Sequence, residues 1–221
     1  MFRLILFSVL ISIGTSFFSQ YKISVSEKSV KFNDGNYNSF TVPIYELSKK
    51  EVEKLWKKTM KDMKANVSSK KNEMKGDDAK VKAMGENTFD IYSIAVENDD
   101  DVQLSIAFDL GGAFLSSSEH SDKAKYMKST IYKFAVDATK EGIRGILKQE
   151  EKKQTDIQKQ FDDLVKQKDK LEKDISNWEK SIEKAKDDIK ENLKNQENKQ
   201  KEIESQSKVI QAVKDKEKAV K

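Results

Sequence analysis

Cysteine is absent from the 221 residues. That excludes disulfides, thiolate metal sites, a cysteine nucleophile and a lipid-modified cysteine behind a signal. An exported domain made from this chain has to be held by packing alone. Histidine occurs once, at His120, which leaves no second imidazole for a zinc site. Proline occurs once, at Pro43, and no glycine follows Gly145. The last third of the chain therefore carries neither of the residues that most disfavour a helix. Apolar residues are also scarce, at 36%, where an ordinary globular domain has roughly 45–50%. Charged residues make up another 36%, against about 25% in such a domain. Much of the chain builds no core, and the excess charge is concentrated after Lys148.

What is present begins with Met1-Phe2-Arg3 and an apolar run from Leu4 to Phe18. A short basic segment before a short apolar one reads as a secretory signal. The run falls short of the about 20 apolar residues of a transmembrane helix. Ser16 and Ser19 are small residues near a cleavage point expected near Ser19–Tyr21, which places the signal at residues 1–20. The other reading of this segment is an uncleaved anchor. After cleavage the chain has no stable membrane span, and its expected location is periplasmic or secreted.

Residues 21–147 read as an α+β head domain. Tyr21, Ile23 and Val25 alternate with polar residues, as do Val30 with Phe32, and Phe40 with Val42 and Ile44. Such alternation predicts strands with one buried face. Asp34-Gly35 marks a hairpin turn. Pro43 cannot donate to a ladder, so its strand is expected at an edge or ending there. The period then changes. Ser48 and Glu51 have the spacing of a capping box, and Leu47 can staple onto Val52. Val52, Leu55, Trp56, Thr59, Met60 and Met63 share one helical face. Asn66 to Lys75 is polar and reads as a weak strand, with turn signals at Gly76-Asp77-Asp78 and Gly85-Glu86-Asn87. Val81 with Ala83, Phe89 with Ile91 and Ile94 with Val96 predict further strands. Val102, Leu104, Ile106 and Phe108 give the cleanest alternation in the chain. A second helix is expected from about Glu119, with Ala124, Met127, Ile131, Phe134, Ala135 and Ala138 on its apolar face. Gly142 and Gly145 extend that face where the helix comes close to the sheet. Strand runs interrupted by helices, without βαβ alternation, predict an antiparallel sheet with two helices on one face. The second helix continues into a long C-terminal coiled coil.

That tail, residues 148–221, is paced by a heptad. The a positions are Phe161, Lys168, Ile175, Ile182, Ile189, Gln196, Ile203 and Ile210. The d positions run from Ile157 through Leu164, Leu171, Trp178, Ala185, Asn192, Lys199 and Gln206 to Val213. A repeat sustained this long predicts a left-handed coiled coil. Asp162 with Lys166, Asp169 with Lys173 and Glu197 with Lys201 have the spacing of helical ion pairs. Asn192, Gln196 and Lys199 interrupt the seam, and in a parallel pair Asp174 would meet Glu179. A long helix with one narrow apolar stripe needs a partner. That partner is a second copy, another helical protein or the helix's own folded-back half. The candidate interaction residues are Phe161, Leu164, Leu171, Ile175, Trp178, Ile182, Ile189, Ile203 and Ile210.

Three motifs invite a chemical reading, and each has a simpler one. His120 stands among Ser116, Ser117, Ser118, Glu119 and Ser121, but no Gly-x-Ser-x-Gly elbow holds a nucleophile, and Ser116 with Glu119 reads as a helix cap. Asn98-Asp99-Asp100-Asp101 lacks the alternation, glycine and distal glutamate of an EF-hand and reads as a hairpin loop. Asp109-Leu110-Gly111-Gly112 lacks the lysine of a phosphate loop and reads as a bulge or turn. No catalytic set, cofactor site or metal site is expected. The 42 basic residues are interleaved with 38 acidic ones, which is not a nucleic-acid footprint.

Tyr37-Asn38-Ser39-Phe40, Glu53-Lys54-Leu55-Trp56-Lys57-Lys58 and Asp109-Leu110-Gly111-Gly112-Ala113-Phe114-Leu115-Ser116, followed by this tail, resemble a group of uncharacterised exported proteins of Bacteroidetes-type bacteria. Phe18-Ser19-Gln20, at the end of the signal, is similar to theirs. The resemblance implies an envelope location and adds nothing about activity. The expected function is a non-enzymatic interaction or scaffold protein of the envelope, with the tail driving oligomerisation or partner binding. The alternative is a binding module holding a small apolar ligand in the head. An enzyme is the third reading.

Overall fold

A computed structural model describes residues 21–219; the expected signal, residues 1–20, lies outside the described residues. The elements follow in the order β1 (Ser26–Phe32), β2 (Gly35–Ile44), α1 (Lys49–Asp62), β3 (Asn66–Lys70), β4 (Glu73–Ala79), β5 (Phe89–Glu97), β6 (Val102–Asp109) and α2 (Ser121–Ala219). The chain divides after Glu150 into two compact units.

The first unit is built on a six-stranded sheet in the order β1-β2-β6-β5-β4-β3, antiparallel throughout. One face carries Phe40, Val42, Ile44, Phe89, Ile91, Ala95, Leu104, Ile106 and Phe108, all buried. Helix α1 and the start of α2 cover this face and share its core through Val52, Trp56, Met60, Ala124, Met127, Ile131 and Ala135. The architecture is thus α+β, with both helices on one side of the sheet. Trp56 is fully buried and donates its indole N–H to Ser93 Oγ on β5 at 2.9 Å. Phe134 meets Trp56 edge-on, with ring centroids 5.0 Å apart. It is only partly buried, at the rim of the core, and not enclosed as its helical position suggested.

Helix α1 begins with a complete capping box. Glu51 N–H donates to Ser48 Oγ, and Ser48 N–H donates to the Glu51 carboxylate at 2.9 Å. Pro43 lies in β2, opposite Gln103 of β6. On its other side β1 pairs only as far as Thr41, so the missing N–H falls where no neighbour needs it. The glycines of α2 do not approach the sheet. A Cβ on Gly142 would lie 2.3 Å from the backbone oxygen of Glu46, in the β2–α1 connection, and a Cβ on Gly145 would meet nothing within 4 Å.

Other local expectations are corrected. Tyr21 to Val25 has no ladder, because β1 starts at Ser26; Ile23 and Val25 pack against the core without one. The β1–β2 turn is Asn33-Asp34, and Gly35 already pairs with Phe32. The polar stretch from Asn66 forms a hairpin of two edge-side strands, β3 and β4. Gly76 sits inside β4, and the irregularity follows it, between Gly76 and Ala79, where Asp78 has φ 57°. Val81 and Ala83 form no strand; Lys82–Met84 is one 3-10 turn that buries Met84. Phe89, Ile91, Ile94 and Val96 belong to a single strand whose two faces both carry apolar residues.

Candidate functional site

In the second unit the helix is unbroken to Ala219. It does not fold back on itself, so none of the described residues of that unit covers the seam. Phe161, Leu164, Leu171, Ile175, Trp178, Ile182, Ile189, Ile203 and Ile210 are all exposed, Trp178 to 62% and Ile182 to 56%. The polar seam residues are engaged along the helix itself. Gln196 donates to Asn192 Oδ1 at 2.6 Å. Lys168 lies 3.1 Å from Glu172, whose hydrogen bond raises the lysine pKa, and Lys199 lies 2.7 Å from Glu202. The expected ion pair between Asp162 and Lys166 is replaced: Lys166 reaches Asp163 at 3.4 Å, and Asp162 accepts from Gln158 at 2.9 Å. These pairs leave the apolar positions untouched. The helix presents a long hydrophobic stripe with charge on the remaining faces.

The first unit offers surface clefts around a closed core. A cleft of about 390 Å³ between α1 and α2 is lined by Leu55 and Phe134 among Lys58, Asp62, Lys133 and Glu141. A neighbouring one of about 680 Å³ runs past Leu47, Lys54, Gly142 and Ile146. Neither gathers the aromatic residues of the head around an enclosed cavity. The sheet face away from the helices holds a second cluster that the periodicity did not single out. Phe114 folds onto it and stacks on Tyr37 at 4.3 Å, with Tyr92 6.3 Å away, and Lys75 Nζ stands 5.3 Å over the Tyr92 ring.

The motifs with a chemical reading take structural positions. His120 Nδ1 accepts weakly from Ser116 N–H at 3.4 Å, and Ser116 Oγ accepts from Glu119 N–H at 3.2 Å, closing a turn just before α2. The Asn98–Asp101 loop joins β5 to β6 and closes on itself through Asn98 N–H and Asp101 O at 2.8 Å. Among the described residues no acidic or imidazole cluster has the arrangement of a metal site. Gly111, with φ 85°, turns the chain after β6, and its N–H donates to Asp109 at 2.9 Å.

One electrostatic site escaped the sequence reading. Glu27 of β1 gathers Asn38 Nδ2 at 2.8 Å, the backbone N–H of Ser117 at 3.0 Å, the Ser117 hydroxyl, and Lys128 of α2 at 3.0 Å. Burial alone would raise its carboxyl pKa. The hydrogen bonds from Ser117 and Asn38, and the ammonium of Lys128, outweigh burial and lower it to about 2. Every partner but Asn38 lies 90 residues or more along the chain, so no local pattern marks the site. It ties the edge strand to the entrance of α2 and consumes no free reactive group. Comparison of the chain with protein-family models, with curated proteins and with solved structures found no match.

Proposed function

We propose that this is a non-enzymatic interaction or scaffold protein of the cell envelope, exported through residues 1–20, whose tail joins copies of the chain or engages a helical partner while the head is displayed. The observation that carries the reading is the exposed stripe from Ile157 to Val213, whose large apolar members stand about half or more exposed. A stripe of that extent left in water is an association hazard, and covering it is its most direct use. The head supports the same reading. Its core is closed, and its one histidine and its serine run are absorbed in a helix-entry turn. The ligand-binding alternative would draw on the α1–α2 cleft beside Phe134, half of whose lining residues are charged. The test is recovery of the full chain from envelope fractions. Its first residue should fall between Ser16 and Tyr21, and chemical cross-linking should trap the tail with a second chain. Recovery with Met1-Phe2-Arg3 intact, as a single copy with no cross-linked neighbour, would overturn the proposal.

A further inference from the structure

We infer that the tail pairs with the tail of a second copy of this chain in antiparallel orientation, in the register that sets Lys168 against Asn192 of the second copy. This rests on the reading of the seam as an interaction surface and names its occupant.

A parallel pair in register sets each seam residue against itself. Lys168 and Lys199 would then meet their own copies inside the seam, two like-charge contacts where charge is hardest to solvate. Its flanks add nothing. Asp174 at g would meet Glu179 at e, Gln167 would meet Glu172, and Ser181 would meet Lys186. The apolar flanking residues Val165 and Leu193 would face Gln160 and Asp188.

In an antiparallel pair every a residue faces a d residue. Setting Lys168 against Asn192 brings Gln154 against Gln206, so polar meets polar at both layers. The three layers between Lys168 and the two-fold axis are apolar, Trp178 against Ile182, Leu171 against Ile189 and Ala185 against Ile175, and so is Ile157 against Ile203 further out. Each occurs twice about a two-fold axis beside Lys180. The flanks then agree. Val165 meets Leu193 of the second copy, and Glu172 meets Lys186 of the second copy.

The mismatches are Phe161 against Lys199, Leu164 against Gln196, Ile210 against Glu150, Asp174 against Asp188, and Glu179 against itself beside Lys186. The long lysine stem at Lys199 can lie along the ring with its ammonium outside the seam, where it already reaches Glu202. Sliding by one heptad removes the agreement in either direction. One slide sets Lys168 against Lys199. The other sets Lys168 against Ala185, Asn192 against Phe161, and Glu172 against Glu179. Side-chain type at the seam and at its flanks thus selects one register.

The absence of cysteine makes the test clean. Lys168→Cys and Asn192→Cys are made singly in the full chain, oxidised separately and after mixing, and run alongside sedimentation. Antiparallel pairing predicts a disulfide between the two variants on mixing, at least about tenfold above either variant alone, because a disulfide needs Cα atoms within about 7 Å. Self-linking of each variant, with no gain on mixing, would mean a parallel pair and overturn the inference. Dimers with no link in any combination would overturn this register while leaving self-association standing. Monomers at every concentration would remove the self-association reading itself.

Discussion

Trp56 shows what one side chain does in this head. Its rings are fully buried, its N–H reaches Ser93, and Ser93 in turn lies 3.3 Å from Met74 O across β4 and β5. Truncation removes apolar volume and leaves the Ser93 hydroxyl with one partner fewer. Trp56→Ala should therefore cost about 3–5 kcal/mol in denaturant unfolding; a loss under about 1 kcal/mol would contradict its place in the core. Glu27 acts by charge. Its carboxyl titrates near 2 in the folded head against an ordinary 4.5. A lowered folded pKa stabilises the head above the unfolded value, and that stabilisation is lost as pH falls from about 4.5 through about 2. Glu27→Gln should lose on the order of 2–3 kcal/mol at neutral pH. The two proteins should converge in stability near pH 2, where the wild-type carboxyl is protonating. Urea unfolding at a series of pH values reads the difference, and a gap that did not change with pH would refute the role of the charge.

At the scale of the element, the two glycines of α2 separate helix propensity from packing. Alanine favours a helix over glycine by about 1 kcal/mol where nothing else intervenes. Gly145 faces open space, so Gly145→Ala should stabilise the helix by up to about that amount. Gly142 abuts the Glu46 backbone, which cannot swing aside as a flexible side chain can, and Glu46 itself has φ 60°. Gly142→Ala should destabilise the head by about 1–3 kcal/mol. Thermal melting of the two variants checks the contrast in sign; equal effects would mean that Glu46 moves freely. Which elements could be read from sequence follows the same physics. The capping box at Ser48, the alternation of β6 and the apolar face of α2 are local patterns with local causes, and they stand where they were expected. The β3–β4 hairpin reads in the sequence only as a weak strand, because on this side of the sheet it buries little beyond Met74, Gly76 and Ala79. The insertion of β6 between β2 and β5 is a choice among strand edges, which alternation along a strand does not encode. Glu27 and the Tyr37–Phe114 stack were hidden for that reason: their partners meet only after the sheet is assembled. The apolar stripe of the long helix, in contrast, is legible residue by residue, since one helix repeats a single rule, and its large members all stand exposed.

For the molecule as a whole, the proposed self-association turns on the concentration at which one tail would cover another. Ile175 and Ile182 are successive a positions, 50% and 56% exposed in the single chain. Each buried isoleucine contributes roughly 1.5–3 kcal/mol in an assembled seam. A lysine at either position removes that contribution and brings an ammonium into the contact. Ile175→Lys with Ile182→Lys should convert an oligomer at tens of micromolar, roughly, into a monomer in sedimentation, given the several kcal/mol lost from each chain. Both positions lie beyond Glu150, outside the unit that holds the sheet. The head's near-ultraviolet signal, set by Trp56 and its neighbours, and its melting should be retained. The tail's helicity should fall in the monomeric variant, because a long amphipathic helix draws most of its stability from packing its apolar face. Wild type should show the same loss of helicity on dilution, and the variant should show none. That concentration dependence separates association from a mere change in helix propensity, which would act equally at every dilution. A wild-type chain that stayed monomeric with a fully helical tail would assign the stripe to a different helical protein, and the same lysines should then abolish its capture.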